Sequence, residues 1–322
     1  MKRRDFSIAA TAAVAATQFG LLRSASAQQL GTVKMMIPAN PGGGWDQTGR
    51  ALASAMQSAK TVGSVQFDNK GGAAGTIGLV QFVNSAKGDP NALMVGGMVM
   101  VGGIALNKSP VDLTMVTPIA RLTSEYEVIV VPANSPFKTM GDLVQAFKAD
   151  PGKVSWNGGS AGGSDHILVG LIARAVGVDP AKINYIASKG GGDQIAAIVG
   201  GHVSAGVAGL GEFAEHIKSG RMRALAVSAP SKIEGIPTLK EQGIDVVLGN
   251  WRGVFGAPAI STAQRDALIA AVKTATESPS WKETLVKYRW DGVYLGGDEF
   301  KKFLDEDTKR INTIIDSLGL KK

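Results

Sequence analysis

Between Val154 and Gly177 the chain reads VSWNGGSAGGSDHILVGLIARAVG, and two kinds of chemistry could use this stretch. The first is anion binding. Gly158 to Asp165 carries almost no side chains, so its backbone N–H groups are open to a visitor. The spacing of Ile167, Leu168, Leu171, Ile172, Ala175 and Val176 predicts a helix directly after it, ended by Gly177. Free donors at a helix N-terminus, backed by the positive end of the helix dipole, can seat a carboxylate or a phosphate. The second is nucleophilic catalysis. Gly158-Gly159-Ser160-Ala161-Gly162 fits G-x-S-x-G, the nucleophile elbow, and lies between a strand and a helix as that motif requires.

A serine hydrolase also needs a histidine later in the chain, and only His202 and His216 follow. His202 opens a predicted strand, and His216 falls mid-helix among Glu212, Glu215 and Lys218. His166 is too close in sequence to swing back as the base. A secreted serine esterase built on Ser160 therefore stands as the alternative. Ser160 and Ser164 read better as hydroxyl donors to a bound oxygen.

The same arrangement recurs. Val33–Pro38 reads as a strand, Asn40–Asp46 (NPGGGWD) as a turn, and Gln47–Met56 as the start of a helix, with Gly-Gly-X-Asp common to 43–46 and 162–165. Gly71–Thr76 and Gly190–Asp193 are further glycine clusters before helical segments. Four such turns suggest one cleft fed by several helix N-termini. Asp46, Asp165 and Asp193 each begin a helix, where capping and dipole pairing are the ordinary uses of a carboxylate. A further use is to lock the turn so that its amides face the cleft. Trp156 ends a strand and reads as core, whereas Trp45, among glycines, reads as a pocket wall. Lys70, Arg121, Lys189 and Arg252 are candidate countercharges.

The elements that must position these turns alternate strand with helix, which indicates an α/β fold with largely parallel sheets. Predicted strands include 92–97, 118–132, 153–157, 183–187, 202–208, 223–228, 246–248 and 253–257; predicted helices include 46–59, 76–85, 140–149, 164–176, 262–277 and 298–318. Thr139–Asp142 and Ser261–Gln264 resemble capping boxes, and Gly220 and Gly243 stand where helices should end. Arg121–Pro132 is long for one strand and polar at Thr123, Ser124 and Glu125, and Gly249–Pro258 is its natural return. Both read as crossings between two lobes: 28–124 with 254–322 as the first, and 125–253 as an inserted second domain.

No nucleotide-binding glycine motif is present, and three isolated histidines with no cysteine give no metal-ligand spacing, so neither a cofactor nor a metal is expected. The first 27 residues read as an export signal: a basic start at Lys2–Arg4, an apolar run over 7–22, and Ala25-Ser26-Ala27 as a small-X-small cleavage site. Arg3-Arg4-Asp5-Phe6 also fits the twin-arginine pattern; ordinary signals begin with basic pairs too, and both routes stay open. Removing Lys2, Arg3, Arg4, Arg23 and Asp5 lowers the net charge from +7 to +4, without a Lys/Arg block, so nucleic acid is not an expected partner. With no lipid-attachment cysteine, the mature protein is expected free in the periplasm, as a monomer.

Taken together, PANPGGGWDQT (38–48), NKGGAAGTIG (69–78), NALMVGGMVMVGG (91–103), PIARLTSEYEVIVVPANSPFKT (118–139), PGKVSWNGGSAGGSDHI (151–167), PTLKEQGIDV (237–246) and NWRGVFGAP (250–258) resemble the substrate-binding proteins of tripartite tricarboxylate transporters, from about Val33 to Leu320. The resemblance implies a two-lobed, type II periplasmic-binding-protein fold with two crossing strands. It implies a small di- or tricarboxylate, citrate-like, as ligand, and a separate two-component membrane permease as partner. Its two carboxylate-holding loops match Pro41–Asp46 and Ser160–Asp165. The residues expected at the ligand are thus Pro41, Gly43, Gly44, Trp45, Asp46, Gly72, Thr76, Met98, Gly159, Ser160, Gly163, Ser164, Asp165, Gly190 and Gly191, in a receptor rather than an enzyme. Gly206-Val207-Ala208-Gly209 stands where many members carry an acidic or amide residue, which leaves the far end of the ligand without an assigned partner.

Overall fold

The computed structural model describes residues 29–320, so the segment read as an export signal lies outside the described residues. Among these, no helix is long and apolar enough to cross a membrane.

The first lobe grows from β1 (Leu30–Ile37), which pairs in parallel with β2 (Val62–Asn69) on one side and β3 (Ala92–Gly97) on the other. All six residues of β3 are buried, as a strand covered on both faces must be. Helix α1 (Gly44–Ser58) turns Leu52, Ala53, Ala55 and Met56 inward. Helix α2 (Thr76–Ser85) follows the third glycine turn, and α3 (Met98–Asn107) follows β3 directly.

β4 (Thr117–Pro132) links the lobes. Up to Tyr126 it pairs with β9 (Gly249–Gly256), and β10 (Asp291–Gly296) lies against its 120–124 stretch. From Glu127 onward it pairs instead with β7 (Ala205–Gly209) and β8 (Met222–Val227). The second lobe continues through β5 (Ser155–Gly158) and β6 (Asn184–Ala187), and the path from edge to edge is β2-β1-β3-β9-β4-β7-β5-β6. The sheets are mixed rather than largely parallel. β4 leaves the first lobe and β9 runs back along it, so these two must be antiparallel, and β3, β7, β8 and β10 meet them antiparallel as well.

Helices α4 (Met140–Ala149), α5 (Ser164–Ala175), α6 (Gly191–Val199) and α7 (Leu210–Lys218) belong to the second lobe. Helices α8 (Thr262–Glu277), α9 (Pro279–Tyr288) and α10 (Gly297–Ser317) return to the first, where α8 packs on α1 and α10 on α3 and β4. Both capping boxes form, at Thr139/Asp142 and Ser261/Gln264. One expectation differs: residues 246–248 run beside Ser228 but join no ladder. The strand read at 92–97 forms as β3, and α3 after it has no counterpart among the predicted helices.

Candidate functional site

The turn before α1 is held by one carboxylate. Gly42, in the left-handed region at φ 90°, donates its N–H to Asp46 Oδ2 at 3.0 Å. Arg50 Nε at 2.9 Å and Asn69 Nδ2 at 3.0 Å complete that carboxylate's partners. Burial alone would raise Asp46, but Arg50, the Gly42 amide and Asn69 outweigh it and hold the carboxyl below its usual value. Gly43 is the N-cap and supplies no side chain. Among the described residues the N–H groups of Gly44, Trp45 and Asp46 consequently have no acceptor.

The turn before α5 repeats this logic with more partners. Gly159 donates to Asp165 Oδ2 at 2.6 Å, and Gly162 donates to His166 Nδ1 at 3.1 Å. The His166 ring stacks on Tyr185 at 4.2 Å, and the Tyr185 hydroxyl donates to the Gly159 carbonyl at 3.1 Å. Burial lowers His166 to about 4, so its ring is neutral and Nδ1 is free to accept. Burial pushes Asp165 up to about 6, offset by the Gly159 amide and the Ser164 hydroxyl. Gly163 caps the helix without a side chain, leaving the first N–H groups of α5 open as well. Thus Asp46 and Asp165 act as turn locks, not N-caps, whereas Asp193 on α6 is exposed.

Both turns open into one cleft of about 190 Å³, also lined by the turns before α2 and α6. Of the residues expected at the ligand, Gly43, Gly44, Trp45, Gly72, Gly159, Ser160, Gly163, Ser164, Asp165, Gly190 and Gly191 line it. The others stand outside the lining. Pro41 is exposed at the outer side of its turn, and Asp46 sits behind it. Thr76 spends its hydroxyl on the Ala73 carbonyl at 2.9 Å. Met98 is wholly buried, and Val99 faces the cleft instead. Ser160 lines the cleft, but among the described residues no histidine hydrogen-bonds its hydroxyl, and the adjacent His166 is spent on Gly162.

Of the floor, sequence reasoning named Arg252, as a candidate countercharge, and missed the acids. Side chains two apart on a strand share a face, so Glu125 and Glu127 of β4, with Asn250 and Arg252 of β9, point the same way where the strands cross. Glu125 forms a buried ion pair with Arg252 and also accepts from Trp290 Nε1 at 3.0 Å and Asn250 Nδ2 at 3.4 Å. Arg252 Nη2 lies 3.9 Å from Glu212 Oε1 on α7. Burial, then Glu125, push Glu212 up to about 8, against the pull of Arg252. Burial, then Asp165 and Glu125, drive Glu127 far above the carboxylate range. The visible hint was the Glu-x-Glu spacing inside a predicted strand.

The full length of the chain is 29% identical to a UPF0065 protein encoded in a gbd 5′ region of Cupriavidus necator, covering 99% of that relative. In structure it is similar to the periplasmic binding protein BugD, with a TM-score of 0.82 at 21% identity over 91% of this chain and 99% of that one. It is similar also to MatC of Rhodopseudomonas palustris, solved with bound malate, with a TM-score of 0.77 at 21% identity over 88% of this chain and 99% of MatC. The model of the tripartite tricarboxylate transporter family receptors matches residues 49–320, and the chain belongs to that receptor family.

Proposed function

We propose that this receptor closes its lobes on a small di- or tricarboxylate, within the range from malate to citrate, and hands it to a two-component membrane permease. The carrying observation is the set of unpartnered amides of Gly44–Asp46 and the first turn of α5, facing one cleft from opposite lobes. A carboxylate there gains charge-assisted hydrogen bonds and two helix dipoles at once. Each such bond contributes ~1.5–3 kcal/mol, so about four support micromolar affinity after the costs of association. Ser160 and Ser164 add hydroxyl donors, and Trp45 and Val99 close the apolar side. Export, by either signal route, brings the receptor to the periplasm, where it acts as a monomer.

The test is a thermal-shift screen of the mature protein against mono-, di- and tricarboxylates, amino acids and sugars. A melting shift that grows with the concentration of a carboxylate supports the reading. Silence across all carboxylates, with a shift for a sugar, would discard it.

A further inference from the structure

Besides the β4–β9 crossing, two sets of contacts join the lobes, and they differ in kind. Along β4, Ile129 and Val131 belong to one buried apolar cluster and Val128 and Val130 to another, so the two clusters lie on opposite faces of the second lobe's sheet. The first cluster runs straight into the first lobe: it unites Ile167 and Ile172 of α5 with Val101 of α3 and Ile315 of α10. Leu318, 2% exposed, fills the notch left by Gly170 of α5, where a Cβ would overlap its side chain. Arg174 Nη1 donates to Ser317 Oγ at 2.7 Å beside it. Returning one leucine so buried to water shifts an equilibrium by about tenfold or more.

The second cluster, with Leu210 and Phe213 of α7, stays within its own lobe. Here the lobes meet only where the turn between α9 and β10 touches α7 and the loop after β8. Arg289 forms an ion pair with Glu234, and the Tyr288 carbonyl lies where a Cβ on Gly211 would be. Both members of the pair hold the left-handed backbone region, at φ 57° and 51°, so turn and loop are each shaped to bring them together. Their side chains are 32% and 52% exposed, and a pair in that setting biases an equilibrium by about fivefold at most.

We infer that the receptor opens on one face only: α5 stays fastened to α3 and α10 as a pivot, and the face carrying α7 swings away as the Arg289–Glu234 clasp parts. A buried, shape-matched notch resists parting more than an exposed ion pair does. Gly102 strengthens the pivot, because α3 seats directly on the Gly162 carbonyl of the turn before α5. The clasp biases the resting posture without locking it.

The chain has no cysteine, so one engineered cross-link can be read without background. Gly170→Cys/Leu318→Cys would join α5 to α10 by a disulfide, the shortened side chain at 318 making room for the new one. X-ray scattering of the ligand-free protein should give a larger radius of gyration for Glu234→Gln than for wild type. The swap Glu234→Arg/Arg289→Glu should restore the wild-type value, and the oxidised cross-link should leave the expansion of Glu234→Gln in place. A Glu234→Gln radius equal to that of wild type would show that the clasp holds nothing and overturn the inference. So would an expansion that the cross-link abolishes, since α5 would then have to leave α10, and so would failure of the disulfide to form under oxidant. In titration calorimetry with malate, succinate and citrate, the oxidised protein should bind within threefold every probe that its reduced form binds; a loss of tenfold or more on oxidation would overturn the pivot. Should wild type bind none of these probes, the carboxylate reading falls, and the scattering comparison decides the pivot by itself.

Discussion

Gly44, the first residue of α1, lies against the guanidinium of Arg252, so closely that a Cβ on Gly44 would overlap Nη2. The amide-bearing turn of one lobe is thus packed directly on the charged crossing. Gly44→Ala would drive Arg252 off Thr48 and Glu125 and misplace the first amides of α1. We expect ligand affinity to fall at least tenfold, about 1.4 kcal/mol, in titration calorimetry. Affinity within twofold of wild type would show that the guanidinium can move aside at no cost to the site.

Arg252 and Glu125 are both about 4% exposed at the side chain, so neither can recover full hydration if the other is removed. Arg252→Met should destabilise the fold by about 3–5 kcal/mol in denaturant unfolding, because a buried carboxylate is left uncompensated. The double variant Glu125→Gln/Arg252→Met should regain more than half of that loss. If the double variant is as unstable as the single one, lost packing on Trp290, 5.3 Å from the guanidinium, is the cause instead of lost charge balance.

The acids of the floor set a pH dependence of stability in the ligand-free protein. Glu212, whose side chain is 21% exposed, is raised by burial from 4.5 to about 8. A group with a raised folded-state value keeps its proton more firmly in the folded chain. Its contribution is whole below 4.5 and is lost as pH climbs through about 8. The melting temperature should therefore decline between about pH 6.5 and about pH 8.5, and Glu212→Gln should flatten part of that decline. Parallel curves for the two proteins would rule out Glu212 as a source.

His166 works with the opposite sign. Burial depresses it from 6.5 to about 4, so the stabilisation of its neutral ring is complete above 6.5 and lost as pH falls through about 4. Protonation also takes Nδ1 away from the Gly162 amide and frees the turn before α5. Acidification across that window should lower both melting temperature and carboxylate affinity in wild type, and less so in His166→Gln. An identical acid response in the variant would mean that His166 does not hold the turn.

How much of this was legible depended on how local the physics is. The capping boxes at Thr139 and Ser261, and the glycine-to-aspartate spacing of the two turns, were readable because donor and acceptor lie within six residues of each other. Helix α3 was not. Met98–Asn107 is apolar nearly all round and interrupted by Gly102 and Gly103, so it has neither a polar face nor good propensity. Those glycines serve packing: a Cβ on Gly102 would overlap the Gly162 carbonyl, so α3 can lie against the turn before α5 only without one. β10 escaped notice because it is a short edge strand with an irregular register against β4. The acidic floor assembles residues from β4, α5, α7 and β9, and no spacing along the chain announces such a meeting.

One feature of the crossing bears on how the lobes move. β4 gives up its pairing with β9 at Tyr126 and takes up pairing with β7 at Glu127, the very next residue. No loop separates the two lobes along this strand. Bending must therefore be absorbed as added twist over several hydrogen-bonded residues, and the restoring torque should grow steadily with angle. A joint of that kind is elastic rather than slack. It would return the empty receptor to one resting posture, so each encounter with a ligand would begin from the same shape.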